Sequence, residues 1–222
     1  CSIITTAKDI NNINLVLGVD DDDPKLDHYL KIAQNLDFIQ VVRYPEGLIE
    51  KIGLCGLWNV MAEQTTNEII AMVGDDMKFE TPDWDEKILK EFSNKEDNFY
   101  LIHCNDGMRG PGNKYANVPP LAVNSFIHRD YVDTVGHYME EVEPNTFGDT
   151  YLDKVFELLN RKIYFHDIMI RHMHFSEYGG KDQVSVNIEK TREGIWDDPA
   201  FFQEKLMPEI LKEVEIIKAK IV

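Results

Sequence analysis

Basic residues are scarce in this chain. Against 40 Asp and Glu it carries 23 Lys and Arg in 222 residues, a formal net charge of -17. Nucleic acid and anionic membrane surfaces both require basic patches to meet phosphates, so this balance argues against either as a partner. It leaves a phosphorylated ligand open, because a divalent cation reverses the local sign where carboxylates converge. Long apolar runs are also missing. A transmembrane segment needs about 18 or more consecutive apolar residues, and none is present. The opening Cys1-Ser2-Ile3-Ile4-Thr5-Thr6 has neither the basic region nor the long apolar core of a signal peptide. It also lacks a methionine, as expected of a chain that begins inside a longer product. Cysteine is rare: Cys1, Cys55 and Cys104 are odd in number and widely spaced, which suits neither a zinc pattern nor a disulfide framework. Cys55 and Cys104 read as small buried hydrophobes, and a cytoplasmic, reducing compartment is expected. No internal repeat or low-complexity tract interrupts the chain.

What remains is ordinary globular material. Hydrophobic residues make up 43% and aromatics 10%, too much for disorder and enough for one domain with a substantial core. Short apolar runs alternate with amphipathic stretches. The runs Asn14–Val19, Phe38–Arg43, Ile69–Val73, Phe99–Cys104, about Leu121–Ile127 and Ile163–Ile168 have the length and composition of buried strands. Helical spacing is found around Lys25–Gln34, over Gly47–Gln64, after Thr81-Pro82-Asp83-Trp84, from Asp149 to about Asn160 and over Phe201–Val222. Met108–Pro120 and Glu177–Asn187 read as loops. The alternation predicts an α/β fold whose mainly parallel (mixed) sheet is flanked by helices. The three expected parts are residues 1–107, 108–198 and a closing helix, 199–222.

In open α/β sheets ligands bind beyond the carboxyl ends of the strands. Three strands release acids there: Asp20–Asp23, Asp75-Asp76 and Asn105-Asp106. Any one cluster by itself reads more readily as a turn, since Asp and Asn favour turns. Three at one edge point to a shared acidic crevice. Mg²⁺ and Mn²⁺ prefer carboxylate oxygens and take one or two of them together with substrate phosphates. Neighbouring side chains of an extended segment point in opposite directions, so Asp75 and Asp76 should divide tasks.

The order of these features resembles the GT-A glycosyltransferases, in particular those of family 2. Val19-Asp20-Asp21-Asp22-Asp23 resembles the strand end that contacts the nucleotide base in that family. Gly56-Leu57-Trp58-Asn59, then Ala62, Asn67-Glu68-Ile69-Ile70 and Gly74-Asp75-Asp76, resembles the family's run from Asn through a helix and an apolar strand into its DxD signature. Phe147-Gly148-Asp149 resembles the segment with the catalytic base, and Arg171-His172-Met173-His174 the place of a late histidine near the metal. The resemblance spans roughly Ile4 to His174. It departs in two places: Gly74 replaces the first acid of the signature, and the strand expected before a helix ending near Thr6 is absent.

The resemblance implies a Rossmann-like GT-A sheet, lacking the family's first strand, that moves a sugar from a UDP- or GDP-sugar to an acceptor hydroxyl with inversion. It implies Asp20, Asp21, Asn59 and Asp75 around the donor, Asp76 and His174 on Mn²⁺ or Mg²⁺, with His172 the lesser metal candidate, and Asp149 as base. The residues alone leave Asp149 open between a base and an N-cap for the helix that follows. Asp106 is a substitute base, as is Asp153, which reads as part of a solvated helix face. The two loops are expected to fold over donor and acceptor and exclude water. Trp58, Trp84 and Trp196 read as core or hinge aromatics. Two rivals stand beside this reading: a nucleotidyltransferase that makes nucleotide sugars, and a degenerate, non-catalytic nucleotide- or sugar-binding domain.

Overall fold

A computed structural model describes residues 2–142, 147–174 and 199–221. The expected loop at Glu177–Asn187, Trp196 and Cys1 lie outside the described residues. Most apolar runs become strands within a residue or two of their expected ends. β1 (Leu15–Asp20) and β2 (Ile39–Tyr44) pair in parallel, with Leu15 opposite Ile39 and Asp20 opposite Tyr44. Helix α2 (Leu26–Ala33) links them, because parallel neighbours need a crossover.

A second sheet has the order β3-β6-β5-β7-β4. Its strands are β3 (Ile69–Ala71), β4 (Met77–Phe79), β5 (Leu101–Asn105), β6 (Ser125–His128) and β7 (Lys162–His172). Only β5 and β7 are parallel; β3 with β6, β5 with β6 and β4 with β7 are antiparallel. The expectation of a mainly parallel sheet is therefore corrected to a mixed one. The link from β5 to β6 contains no helix, and a strand that returns without a crossover comes back antiparallel.

Both faces of this sheet are covered, because alternate residues of each strand point to opposite sides. Leu101 and Ile127 join one core with Cys55 of α3 (Leu48–Ala62), Tyr131 of α5 (Arg129–Val135), Leu152 and Phe156 of α6 (Gly148–Leu158), and Ile210 and Val214 of α7 (Met207–Lys218). Ile102, Cys104 and Phe126 join the other with Ile3 of α1 (Ser2–Thr6) and Trp84, Ile88 and Phe92 of α4 (Trp84–Ser93). Fully burying such a side chain is worth about 1.5–3 kcal/mol.

Three elements differ from their sequence patterns. The Ile69–Val73 run forms a strand only to Ala71 and lies at the end of its sheet; Ile70 and Met72 are buried while Ala71 is exposed. Helix α3 is interrupted at Gly53, whose φ of 70° and ψ of 178° are not helical. The closing helix starts at Met207 after a π-turn over Phe202–Leu206. Among the described residues no helix is long and apolar enough to cross a membrane.

Candidate active site

Because β3 and β5 both oppose β6, and β7 parallels β5, these three strands run in one direction. Their C-terminal ends share an edge, and backbone hydrogen bonds tie that edge together. The Asp76 carbonyl accepts from Met173 N at 2.8 Å, and the Asp106 carbonyl accepts from His172 N at 2.9 Å. Of the three acidic strand ends expected at one edge, Gly74-Asp75-Asp76 and Asn105-Asp106 are thus tied together beside His172, whereas Asp20–Asp23 end the separate β1–β2 pair.

At its centre, His172 Nε2 lies 2.9 Å from Asp76 Oδ2. The ring of His174 stands edge-on to His172, with centroids 5.2 Å apart. Burial pushes the Asp76 carboxyl up, but the hydrogen bond and charge of His172, its own backbone N–H and the His174 charge outweigh it. The net result lies below the ordinary carboxylate value, so Asp76 is ionised at neutral pH. An ionised carboxylate accepts, so His172 donates through Nε2. Its Nδ1 is buried and has no hydrogen-bond partner among the described residues. Asp75 and Asp76 form a turn between β3 and β4 rather than an extended segment; Asp75 is exposed and Asp76 half-buried. Gly74 clears space for this carboxylate, since a Cβ there would sit 2.8 Å from Asp76 Oδ1.

The other acids fare differently. Asp106 is 3% exposed and committed to the loop that follows. Its Oδ1 accepts from Met108 N at 2.8 Å and Arg109 N at 2.9 Å, and its Oδ2 pairs with Arg109 Nη1 at 3.0 Å. Asn105 adds to this anchor, with Oδ1 accepting from Gly107 N and from the Asn113 side chain. Asp153 is not on a solvated face: it is buried, accepts from Ala122 N at 3.0 Å and pairs with Lys162 Nζ at 2.9 Å. Helical periodicity had assigned it outward, but α6 is covered on that side by the chain at Ala122. Asp21 and Asp23 leave the separate β1–β2 pair; Asp21 Oδ1 meets Arg43 Nε at 2.8 Å, and Asp23 Oδ1 accepts from Lys25 N at 2.6 Å. Burial, followed by the Asp20 charge, pushes the Tyr44 hydroxyl up to about 12.

Asp149 sits in the first turn of α6, but the N-cap position belongs to Phe147, which makes no side-chain cap bond. The N-cap reading of Asp149 is corrected accordingly. Its Oδ1 accepts from Thr150 N at 2.7 Å, and an acid in a first turn is still favoured by the helix dipole. Asn59 holds the segment from Tyr138 to Glu141 through its side-chain amide.

Two features escape sequence reading. His172, the last residue of β7, touches Asp76, and His174 lies two residues further on, past the strand end. The second is a buried carboxylate on α7. Glu213 receives the hydroxyls of Tyr131 and Tyr151 and lies 3.1 Å from His137 Nε2. Burial lowers the His137 pKa, but Glu213, Glu140 and Glu141 outweigh it and raise the value overall. No spacing rule links these four positions.

Mixed strand directions, helices on both faces and a carboxylate–imidazole pair at the strand ends define an α/β protein with one chemically equipped edge. No protein-family model matches the chain, and no curated protein matches it in sequence. In fold it is similar to Staphylococcus aureus TarS residues 1–349 in complex with UDP. The TM-score is 0.58 at 12% identity, over 93% of this chain and 70% of that one. A second structure of the same TarS segment gives a TM-score of 0.58 at 12% identity, over 95% and 71% of the two chains. The catalytic domain of Drosophila β1,4-galactosyltransferase 7, in complex with xylobiose, aligns with a TM-score of 0.41 at 12% identity, over 81% and 79%.

Proposed function

We propose that the chain is a GT-A-type glycosyltransferase that moves a sugar from a nucleoside-diphosphate sugar, a UDP- or GDP-sugar, to an acceptor hydroxyl with inversion. The observation that carries this reading is the Asp76–His172 contact with His174 beside it, at the edge where β3, β5 and β7 end. The fold likeness to TarS, solved with UDP, supports a nucleotide donor.

The donor set suits a hard divalent ion in part. Among the described residues no three His, Cys, Asp or Glu side chains are grouped to hold one. Asp76 and His174 would supply two ligands, which is enough for an Mg²⁺ or Mn²⁺ ion completed by substrate phosphates. Such an ion would neutralise the diphosphate and improve it as a leaving group.

The chain's own groups do the rest. His172 holds the Asp76 carboxylate in place through its Nε2–H. Asp20, Asp21 and Asp75, exposed at strand ends, face donor hydroxyl and base groups. Asp149 takes the proton from the acceptor hydroxyl as the new bond to the sugar forms. The loop anchored by Asn105 and Asp106 shields the reacting centre from water. The proposed site of action is the cytoplasm, a reducing compartment in which the buried thiols of Cys55 and Cys104 stay reduced.

Calorimetry with UDP and GDP, each with and without Mn²⁺, tests the proposal. Metal-dependent nucleotide binding that is lost in Asp76→Ala supports it. Binding without turnover of any nucleotide sugar moves the chain to the non-catalytic binding reading, and absence of binding to either nucleotide sinks the proposal.

A further inference from the structure

Asn59 has a saturated side chain. Its Oδ1 accepts from Tyr138 N at 2.9 Å and Met139 N at 2.8 Å, and its Nδ2 donates to Met139 O and to Glu141 Oε1 at 2.8 and 2.7 Å. A carboxamide offers two hydrogens and two lone pairs, so all four are spent on one short segment. Met139, buried at 2% exposure, carries this constraint onward. A Cβ at Gly148 would lie 3.0 Å from Met139 Sδ and 3.0 Å from Cys55 Sγ, one helical turn before Asn59 on α3. The helix and the segment it clamps therefore close on Gly148 from two sides, and Asp149 is the next residue.

The backbone on the other side of Gly148 is unusual as well. Phe147 has φ 65°, a left-handed conformation that bulky side chains avoid, and it gives α6 no side-chain cap. Its ring is stacked on Phe201, with centroids 6.0 Å apart. Uncommon backbone of this kind persists only where the surroundings over-determine it, and it clusters at functional sites. The first turn of α6 is held from outside, and Asn59 is the polar part of the hold.

We infer that Asn59 is a positioning residue for Asp149: it clamps Tyr138–Glu141 so that Met139 fixes Gly148 and aims the carboxylate that follows. This rests on Asp149 acting as the base, and it replaces the donor contact that the sequence resemblance implied for Asn59. A donor contact would need a group that this amide has already committed.

The test compares Asn59→Ala with the milder Glu141→Ala, which removes one of the four bonds and keeps the fold available if the first variant does not express. Amide hydrogen exchange is read at residues 138–139 and 147–151, UDP affinity by calorimetry with Mn²⁺, and turnover of UDP-sugar as kcat and KM separately. Asn59→Ala is expected to speed exchange at both segments by at least tenfold, keep UDP affinity within twofold, and lower kcat at least tenfold with donor KM unchanged. Glu141→Ala is expected to shift exchange at the same two segments by a smaller factor. Faster exchange confined to 138–139 in either variant overturns the inference, as does a tenfold loss of UDP affinity with kcat retained. A wild-type chain that turns over no nucleotide sugar defeats the role of Asp149 as base; the exchange arm still decides whether Asn59 controls the Gly148-Asp149 backbone.

Discussion

β5 and β1 carry similar apolar sequences and end in the same kind of acid cluster, yet they live in different surroundings. Every residue of β5 from Leu101 to Asn105 is buried, with a strand on each side. In β1 only Val19 is buried, and among the described residues β1 pairs with β2 alone. Chemistry that depends on sub-ångström placement needs side chains locked by packing and a second layer of hydrogen bonds. Asp76, His172 and the Asp106 anchor have buried packing around them; Asp20, Asp21 and Asp22 are exposed, and contacts such as Asp21–Arg43 are made at the surface. We read the first region as the place where geometry is set and the second as a surface that adjusts to its ligand.

The sharpest test of this contrast is functional. Asp149→Asn should lower turnover by about 10²–10⁴-fold, the range for loss of a general base, with UDP affinity unchanged by calorimetry. Asp21→Asn, on the adjustable side, should alter donor KM by less than about tenfold and spare kcat, as expected of a contact made equally in ground and transition states. Equal losses from the two variants would remove the distinction.

Stability should divide in the same way. Ile102→Ala removes a fully buried side chain and should lower the unfolding free energy by about 2–5 kcal/mol. Leu17→Ala, in half-exposed β1, should cost about 1 kcal/mol, in proportion to the smaller apolar area it buries. Denaturant unfolding of both variants reads the difference, and comparable values would mean that β1 is as well supported as β5.

A third test uses pH. The His137 pKa is raised from 6.5 in the folded chain, so its pairing with Glu213 contributes in full below pH 6.5 and is lost as pH rises through the folded value. The melting temperature should therefore fall on going from pH 6.5 into the alkaline range, and less steeply in His137→Gln. The Asp76 pKa is depressed instead, so its contribution is present above 3.8 and disappears as pH falls through the folded value. The smallest effect is reserved for the Arg43–Asp21 pair, whose side chains are 55% and 39% exposed. Arg43→Ala should change stability by at most about 0.5 kcal/mol, as exposed pairs do; a larger cost would show that β1–β2 is more tightly built than its burial indicates.

Much of the fold could be read along the chain because it depends on local pattern. Apolar runs such as Phe38–Arg43 and Phe99–Cys104 stood out by length and composition, and α4 by its Thr81-Pro82-Asp83-Trp84 opening. The edge at Gly74-Asp75-Asp76 was visible because acids that directly follow a buried run have few other places to go. Burial of Asp153 was not visible, since it depends on Ala122 arriving from a distant loop. Nor was the engagement of Asn59, whose partners lie 79 to 82 residues away.

By itself the sequence determined the alternation of elements, the acid-bearing strand ends and the candidacy of Asp76, because periodicity and strand termination act over a few neighbouring residues. Tertiary structure alone decided that β6 runs antiparallel, that His172 is the histidine on Asp76, that Phe147 and not Asp149 occupies the cap, and that Asn59 is spent on the chain. The β6 pairings, the His172–Asp76 contact and the Asn59 bonds join segments far apart in sequence, and the Phe147 cap is a left-handed backbone conformation. Such contacts form only when the whole fold brings two surfaces together, and no local pattern carries that information.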